Sequence, residues 1–527
     1  MRNNLLLSAA FLCVNIIFAQ TPSNQAPVIS NFTALADWPN NTLTLTYDVA
    51  DTENDPLEIT LAFSINGGQS YTLNSLVSIS GDAGFPVTPG TGKTITCDIS
   101  ALAGLPQKFT VRIVADDKQV FDIQQLVNEV DSMRLIADME FVEGIRHRTT
   151  GLAHLNEVRD SLKNLFTNQE LALQEQFFPF GTVTGENIIG SFPGTTSEEK
   201  VVIVDAHYDT VNNAPGADDN GSGVVGVMEI ARLLSRYPTK KTVRYIGFDL
   251  EEDGLRGSIA YNSSIPTGEQ VEGVFNFEMI GYYSEQPNSQ EIPNGFGFFF
   301  PDAVAQINAN QNKGDFITNV ANSNCQPLAL LFSNAAAEYV PDLKVITLVA
   351  LGNGSSFADL LRSDHAPFWF ANRPALMLTD GADFRNDCYH TPMDVADGKL
   401  NFTFMSNVVK ATLAAAAELA EIQHGDWAVT SFEGTVSTSG IPDCRLAVWQ
   451  SPSDPGILNF SVANCLFTQA YIEILDEKGS VVHSESLVLN DSQQQYSLAL
   501  PNLSVGMYFA KIAWPDGMRT EKFVVTR

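Results

Sequence analysis

Residues 201–209 have the sequence Val-Val-Ile-Val-Asp-Ala-His-Tyr-Asp, which is the clearest indication of the fold in this chain. Residues 201–204 are all β-branched, as expected of a strand that is buried on both faces of a sheet. A glycine-rich turn over residues 216–223 comes next, and a helix with one apolar face follows it. Further strand candidates lie at residues 243–248, 273–277 and 375–378. This alternation extends over about 300 residues and predicts an α/β domain at 123–425, with a mostly parallel (mixed) sheet flanked by helices.

The ends of these strands are followed by polar side chains of the types that bind metals or transfer protons. In chain order they are His207, Asp209, Asp219, Glu251, Glu252, Glu278, Tyr389 and His390. Taken singly, each has a common structural explanation, such as a hydrogen-bonded histidine or a solvated Glu-Glu turn. The carboxyl ends of parallel strands, however, meet at one edge of a sheet. Together the residues therefore predict a single site.

The ligand types in this set fit zinc, which prefers nitrogen and oxygen ligands. Three carboxylates and one hydroxide carry four negative charges, which would balance two Zn²⁺ ions in a partly buried site. We expect Asp219 to bridge the two ions. One ion would then take His207 and Glu278, and the other would take Glu252 and His390.

Two carboxylates remain outside these ligand sets. Asp209 is two residues beyond His207, which places it well to orient that imidazole. Glu251 is left without a metal, so it is free to act as a general base.

These motifs resemble those of the co-catalytic zinc aminopeptidases of clan MH, a group that includes bacterial leucyl aminopeptidases. The resemblance covers about 300 residues. It implies that Glu251 is the general base and that Tyr389 helps to stabilise the oxyanion. Many members have Asp where this chain has Glu278, and the longer side chain would change the reach to that metal. The implied reaction is attack of a metal-activated water on peptides with a free N-terminus.

Three other functions stay open on this fold. One is a glutaminyl cyclase, an acyl transferase that resembles these enzymes but uses one zinc. Another is a carboxypeptidase of the glutamate type. The third is a binding protein without catalysis, which the presence of Glu251 disfavours.

The sequence Ser363-Asp364-His365 contains the residue types of a serine hydrolase triad. Triad members come from separate segments of the chain, and adjacent residues do not form the required relay. We interpret this stretch as a loop at the rim of the site.

The segments on either side of the α/β region have the pattern of β-strands. Residues 24–118 alternate apolar and polar side chains and turn at 66–68, which resembles an immunoglobulin or fibronectin-type sandwich. Within it, the turn at 51–55 could hold a Ca²⁺, although a solvated turn is the simpler interpretation. Residues 440–527 are β-rich. The stretches 503–512 and 522–525 resemble the C-terminal sorting domain of type IX secretion, which implies that machinery as a partner.

Composition excludes other classes of protein. Asp and Glu number 61 against 30 Lys and Arg, so the net charge is −31, and this disfavours binding to nucleic acid. Residues 1–19 have the charged start and short apolar core of a signal peptide, which predicts a secreted or cell-surface protein. No later apolar stretch is long enough to predict a transmembrane segment.

The signal peptide predicts an oxidising compartment, and five cysteines follow it. An odd number leaves at least one unpaired. The two pairings considered are Cys325 with Cys388 and Cys444 with Cys465.

Overall fold

The computed structural model describes residues 24–103, 108–434, 445–450, 457–463, 469–476, 481–488, 493–500, 505–514 and 517–525. The predicted signal peptide, Cys444 and Cys465 lie outside these ranges. No helix within the described ranges is long and apolar enough to cross a membrane.

The N-terminal unit is a sandwich of two four-stranded antiparallel sheets. Alternating side chains such as Leu43, Leu45 and Tyr47 point into its core, which explains the period-two pattern of the sequence. One sheet has the order β1-β2-β6-β4, and the other contains β3, β5 and β7. The strands are β1 (Val28–Asp37), β2 (Thr42–Ala50), β3 (Leu57–Ser64), β4 (Ser78–Gly81), β5 (Gly84–Val87), β6 (Gly90–Asp98) and β7 (Lys108–Asp116).

The central unit is an eight-stranded sheet with helices packed against it. Its helices are α1 (Ile123–Asn128), α2 (Ser132–Val142), α3 (Leu152–Asn168), α4 (Gly223–Leu234), α5 (Arg256–Ser264), α6 (Phe296–Phe299), α7 (Pro301–Ala309), α8 (Gln326–Tyr339), α9 (His365–Phe370) and α10 (Phe402–Ala420). Its strands are β8 (Ala172–Phe180), β9 (Val183–Phe192), β10 (Ser197–His207), β11 (Lys241–Phe248), β12 (Gln270–Phe277), β13 (Ile317–Asn322), β14 (Val345–Ala350) and β15 (Ala375–Thr379).

The strand order of this sheet is β14-β13-β15-β12-β10-β11-β9-β8. The four central strands β15, β12, β10 and β11 are parallel, whereas β9 runs antiparallel to β11 and β13 antiparallel to β15. The predicted α/β fold with a mixed sheet is confirmed. Residues 201–204 of β10 are fully buried, in agreement with a strand covered on both faces.

The chain returns to the sandwich after the α/β unit. Strand β16 (Gly425–Glu433) pairs antiparallel with β7 over nine residues, and completes the sheet order β16-β7-β3-β5. The sandwich therefore includes a strand beyond the predicted boundary at residue 425.

The C-terminal unit consists of two further antiparallel sheets, with the orders β17-β18-β21 and β20-β19-β22-β23. Its strands are β17 (Arg445–Gln450), β18 (Ile457–Ala463), β19 (Gln469–Leu475), β20 (Val481–Val488), β21 (Gln493–Ala499), β22 (Gly506–Trp514) and β23 (Gly517–Val525). The expected β-rich C-terminal region is present.

Cys97, Cys325 and Cys388 are free cysteines, so the considered pairing of Cys325 with Cys388 is not formed. The Cys325 thiol is buried and donates a hydrogen bond to the Ala375 carbonyl oxygen over 3.2 Å.

Candidate active site

Neighbouring parallel strands bring the predicted residues to one edge of the sheet. Strand β10 ends at His207, β11 is followed by Glu251 and Glu252, and β12 is followed by Glu278. Asp219 lies in the turn that precedes α4, and His390 lies in the loop after β15. Because β10 lies between β11 and β12, these carboxylates face the histidine from both sides.

Asp219 joins two groups of three candidate metal ligands. His207 Nε2 lies 3.3 Å from Asp219 Oδ1 and 3.4 Å from Glu278 Oε2. His390 Nε2 lies 3.0 Å from Asp219 Oδ2 and 3.2 Å from Glu252 Oε2. In each group, all three ligand atoms lie within 4.8 Å of one another. Each oxygen of Asp219 thus faces a different histidine.

Several ligand atoms in this site are buried without a hydrogen-bond partner. They are His207 Nε2, Asp219 Oδ1, Glu252 Oε1 and His390 Nε2. A buried polar atom without a partner is unfavourable, and metal ions held by the two ligand groups would provide such partners. The donor set of imidazole nitrogen and carboxylate oxygen is the one that zinc prefers. The residues present therefore fit Zn²⁺.

Unbalanced negative charge perturbs the protonation of both histidines. Burial alone would lower the pKa of His390, but hydrogen bonds to Asp219 and Glu252 raise it to about 10. Burial opposes protonation of His207 as well, yet Glu251 and Glu278 raise its pKa well above the usual range. Burial together with Asp219 raises the pKa of Glu252 to about 7. The site attracts positive charge, which protons or metal ions can supply.

Asp209 holds the backbone that carries both glutamates. Its Oδ1 accepts from the Glu251 N–H over 3.0 Å, and its Oδ2 accepts from the Glu252 N–H over 3.2 Å. Oδ1 also lies 3.5 Å from His207 Nδ1. The closer contact of this imidazole is with the backbone, because His207 Nδ1 lies 3.2 Å from the Asp209 carbonyl oxygen. Asp209 therefore lies beside His207 and also fixes the loop after β11, a role that the sequence did not predict.

Glu251 belongs to neither ligand group. Its side chain is buried, and its Oε2 lies 4.0 Å from His207 Nε2. Burial raises the pKa of Glu251 well above its usual range, and the negative charge of Glu278 adds to the effect. The structure thus has a carboxylate with high proton affinity beside the ligand group that contains His207.

Tyr389 stacks on His390, with ring centroids 3.8 Å apart and planes inclined by 17°. Its hydroxyl accepts a hydrogen bond from Arg362 Nη2 over 3.1 Å. No spacing or motif in the sequence pointed to Arg362.

The Ser363-Asp364-His365 segment is fully buried, so its predicted position at the rim of the site is wrong. Ser363 Oγ lies 2.8 Å from Glu278 Oε2, under the candidate ligand and away from the surface. His365 Nε2 donates to the Leu360 carbonyl over 2.9 Å, so it is engaged elsewhere. The interpretation that these residues are no triad agrees with this geometry.

Asp394 and Arg146 anchor the turn that contains Asp219, and neither was predicted from the sequence. Asp394 accepts from the backbone N–H of Asp218 over 2.9 Å and of Asp219 over 3.1 Å. Arg146 is fully buried and donates from Nη2 to the Gly216 carbonyl over 2.9 Å. Both contacts join segments far apart in the chain, and no local sequence signal reveals them.

A largely apolar pocket opens beside the site, and Glu278, Arg362 and Tyr389 form part of its wall. Apolar side chains from β13, β14, β15 and the helices α6 and α7 form much of the remainder. They include Phe296, Ile307, Val320, Ile346, Leu348 and Met377.

The turn suggested for Ca²⁺ has the geometry of a hydrogen-bonded turn, because Asp51 Oδ1 accepts from the Asp55 N–H over 2.8 Å. Among the residues that the structure describes, the groups of three or more potential metal-binding side chains are the two around Asp219.

Two family models match this chain. Residues 187–416 match the model of peptidase family M28, and residues 452–526 match that of the secretion system C-terminal sorting domain. The predicted sorting domain is confirmed.

Several curated proteins are similar to part of this chain. The uncharacterised protein YfbL of Escherichia coli is 31% identical over 279 residues, which span 49% of this chain and 79% of that protein. Aminopeptidase YwaD of Bacillus subtilis is 42% identical over 105 residues, 19% of this chain and 23% of that protein. The chain therefore spans most of the first relative but less than a quarter of the second.

A solved zinc aminopeptidase from Bacillus subtilis is 25% identical, with a TM-score of 0.35, and the match covers 46% of this chain and 52% of that one. The family model spans every predicted site residue, from His207 to His390, and YfbL is similar over 79% of its own length. The chain belongs to peptidase family M28.

Proposed function

We propose that this protein is a secreted dinuclear zinc aminopeptidase that removes the first residue from peptides. The observation that carries the proposal is the pair of ligand groups joined by Asp219, with Glu251 buried beside them and bound to neither. Family membership and the aminopeptidases among the relatives support the same reaction class.

His207, Asp219 and Glu278 would hold one zinc ion, and Asp219, Glu252 and His390 would hold the other. When bound, the ions would lower the pKa of a water molecule to about 7 and polarise the scissile carbonyl. Asp209 keeps the loop that contains Glu251 and Glu252 in place through two backbone hydrogen bonds.

Glu251 would take the proton from the attacking water and deliver it to the departing amine. Its burial and raised pKa suit both halves of this task, because the group must accept the proton and then release it. The Tyr389 hydroxyl would donate a hydrogen bond to the carbonyl oxygen as negative charge develops there.

Specificity for the N-terminal residue would come from charge and shape. The surplus of carboxylates favours the positive α-ammonium group of a free N-terminus. The apolar pocket beside Glu278 and Tyr389 would accept the side chain of that residue. We expect leucine, methionine and phenylalanine to be preferred over charged residues.

The other candidates on this fold make different demands. A glutaminyl cyclase works with one zinc, whereas both ligand groups here are complete. A carboxypeptidase of the glutamate type would select the opposite end of the substrate. A non-catalytic binding protein has no use for a buried, uncommitted Glu251.

Kinetics on aminoacyl-nitroanilides and their N-blocked copies separate these candidates. We expect cleavage of leucine-nitroanilide, no cleavage of the N-acetyl form, and loss of activity with a chelator that added zinc restores. Equal rates on free and blocked substrates would reject the aminopeptidase.

The Glu251→Gln variant tests the general base. Zinc content should stay near two ions per chain while kcat falls by about a thousandfold or more. A variant that retains most of its activity would show that another group takes the proton.

The C-terminal sorting domain supports export by the type IX machinery. The predicted N-terminal signal peptide would first direct the chain across the inner membrane. Fractionation of the native host should find the α/β unit outside the cell or on its surface. Its presence in the cytoplasm would contradict the proposed location.

A further inference from the structure

Arg362 lies in the wall of the apolar pocket beside Tyr389 and Glu278. Its Nη2 donates to Tyr389 Oη over 3.1 Å, and its Nη1 donates to Asp383 Oδ1 over 3.0 Å. The guanidinium carbon lies 5.4 Å from the centroid of the Tyr389 ring. The arginine is thus fixed between a carboxylate and the phenol.

The direction of the bond to Tyr389 follows from chemistry. A guanidinium group can donate hydrogen bonds but cannot accept them. Tyr389 Oη is therefore the acceptor, and its own proton must point to a different partner. A charged donor also polarises the hydroxyl, which makes that proton a stronger donor in turn.

The ring of Tyr389 is also stacked on the imidazole of His390, at a centroid distance of 3.8 Å. The ring position and the acceptor side of the hydroxyl are thus both set by neighbouring side chains. The direction that remains for the O–H bond is away from Arg362.

We propose that Arg362 is a positioning residue that directs the Tyr389 hydroxyl proton toward the carbonyl oxygen of the bound peptide. This inference rests on the proposed function, because it requires a carbonyl that gains negative charge. Arg362 itself need not touch the substrate. Its contribution would appear in kcat, where a better-aimed donor counts, and only slightly in KM.

The test is a double-mutant cycle of Arg362→Gln and Tyr389→Phe on leucine-nitroanilide. We expect Tyr389→Phe to lower kcat by about a hundredfold, as does the loss of other oxyanion donors. Arg362→Gln should lower kcat by about tenfold with KM changed by less than about twofold. The double variant should be no slower than Tyr389→Phe alone, because Arg362 acts through the phenol.

Two results would overturn the proposal. If the losses multiply in the double variant, Arg362 acts independently of Tyr389. If Arg362→Gln raises KM for dipeptides but not for nitroanilides, the arginine binds the substrate carboxylate instead.

A binding measurement gives a readout that does not depend on turnover. Calorimetry with an α-aminoboronic acid, which becomes tetrahedral when bound, should show weaker binding to Arg362→Gln and to Tyr389→Phe. Zinc content and the unfolding temperature should match the wild type in both variants. Unchanged boronic acid binding in Arg362→Gln would contradict the proposed role.

Arg232→Gln is the matched control, because Arg232 also pairs with a carboxylate, Asp138, but does so on α4 outside the site. It should leave kcat unchanged. The outcomes also separate the two proposals. A wild-type protein that does not cleave leucine-nitroanilide removes the proposed function, whereas an active wild type with an unaffected Arg362→Gln removes only this inference.

Discussion

His365 is a neutral, fully buried imidazole, although it follows a serine and an aspartate. Its Nε2 donates to the Leu360 carbonyl and its ring packs edge-on against Trp369 at 4.6 Å between centroids. Burial lowers the pKa of His365 to about 4. The residue therefore supports the segment that contains Ser363.

The lowered pKa makes stability depend on pH in a defined direction. The unfolded chain binds a proton at His365 near pH 6.5, whereas the folded chain resists it until about pH 4. The stabilising contribution is thus present above pH 6.5 and is lost as the pH falls through this window. Between pH 7 and pH 5 the loss is about 2 kcal/mol.

We predict that the metal-free wild type loses about 2 kcal/mol more stability than His365→Gln between pH 7 and pH 5. Glutamine can still donate to the Leu360 carbonyl but does not titrate. Urea unfolding of both proteins at the two pH values measures the difference, in which the other titrating groups cancel. Parallel pH profiles would show that His365 is not held neutral.

Ser363 contacts the candidate metal ligand Glu278 directly. Its single hydroxyl proton has two acceptors at 2.8 Å, Glu278 Oε2 and Asn276 Oδ1, and the charged carboxylate is the stronger one. This bond fixes the oxygen of Glu278 that faces His207.

We predict that Ser363→Ala weakens zinc binding at the His207 position by about tenfold to a hundredfold. The other ion should be nearly unaffected, since its ligands do not touch Ser363. Titration with a zinc buffer resolves the two affinities. Ser235→Ala, which removes a buried serine hydroxyl from the end of α4, is the control and should change neither. Equal weakening of both sites would point to a general loss of structure.

Among the helices, strands and loops, the sequence predicted the positions of site residues only where they follow regular strands. The β-branched strand β10 and the polar residues at the ends of β10, β11 and β12 follow a local pattern, and parallel strands necessarily place those ends together. Arg362 and Ser363 lie in an irregular connection between β14 and α9. Nothing local determines where such a loop packs, so their contacts with Tyr389 and Glu278 could not be predicted.

Arg146 shows how one side chain holds two loops of the site. The residue precedes α3, and its guanidinium donates to the carbonyls of Tyr208, Val142, Gly144, Pro215 and Gly216 over 2.7–3.1 Å. These contacts attach the chain on both sides of the turn between β10 and α4 to the end of α2.

We predict that Arg146→Lys lowers the free energy of unfolding by about 3 kcal/mol or more and reduces zinc content. Lysine lacks the planar fork, so it leaves buried carbonyls without donors at about 1–3 kcal/mol each. Chemical denaturation and metal analysis measure both effects. Arg232→Lys, at a partly exposed ion pair on α4, is the matched control and should cost about 1 kcal/mol or less. A stable Arg146→Lys variant with full zinc content would show that the loops keep their structure without the guanidinium group.

At the scale of the whole molecule, the sandwich and the α/β unit are joined more closely than the sequence predicts. Arg112 of β7 is buried and donates to the carbonyls of Pro193 and Gly194 in the α/β unit. Strand β16 is the second connection. The local pattern of residues 425–433 is compatible with a strand, but the choice of β7 as its partner depends on packing across some 300 residues, which no local pattern encodes.

Strand β16 contacts both units at once. Phe432 is buried in the sandwich, where it stacks on Phe109 at 5.0 Å between ring centroids. Trp427 faces the other way: its Nε1 donates to the Ser235 carbonyl over 2.9 Å, and its ring packs against Phe192. The match to the sorting domain begins at residue 452, after this strand.

Two truncated chains test this arrangement. A chain that ends at Gly434 keeps β16 and loses the sorting domain, so we predict a wild-type unfolding temperature and wild-type kcat on leucine-nitroanilide. A chain that ends at His424 also loses β16, which exposes the edge of β7 and removes the buried side chain of Phe432, worth about 2–3 kcal/mol by itself. It should unfold at a much lower temperature or aggregate on expression. Scanning calorimetry and size-exclusion chromatography compare the two chains. Equal stability would mean that β16 is dispensable. The predicted boundary at residue 425 would then delimit an independent catalytic unit.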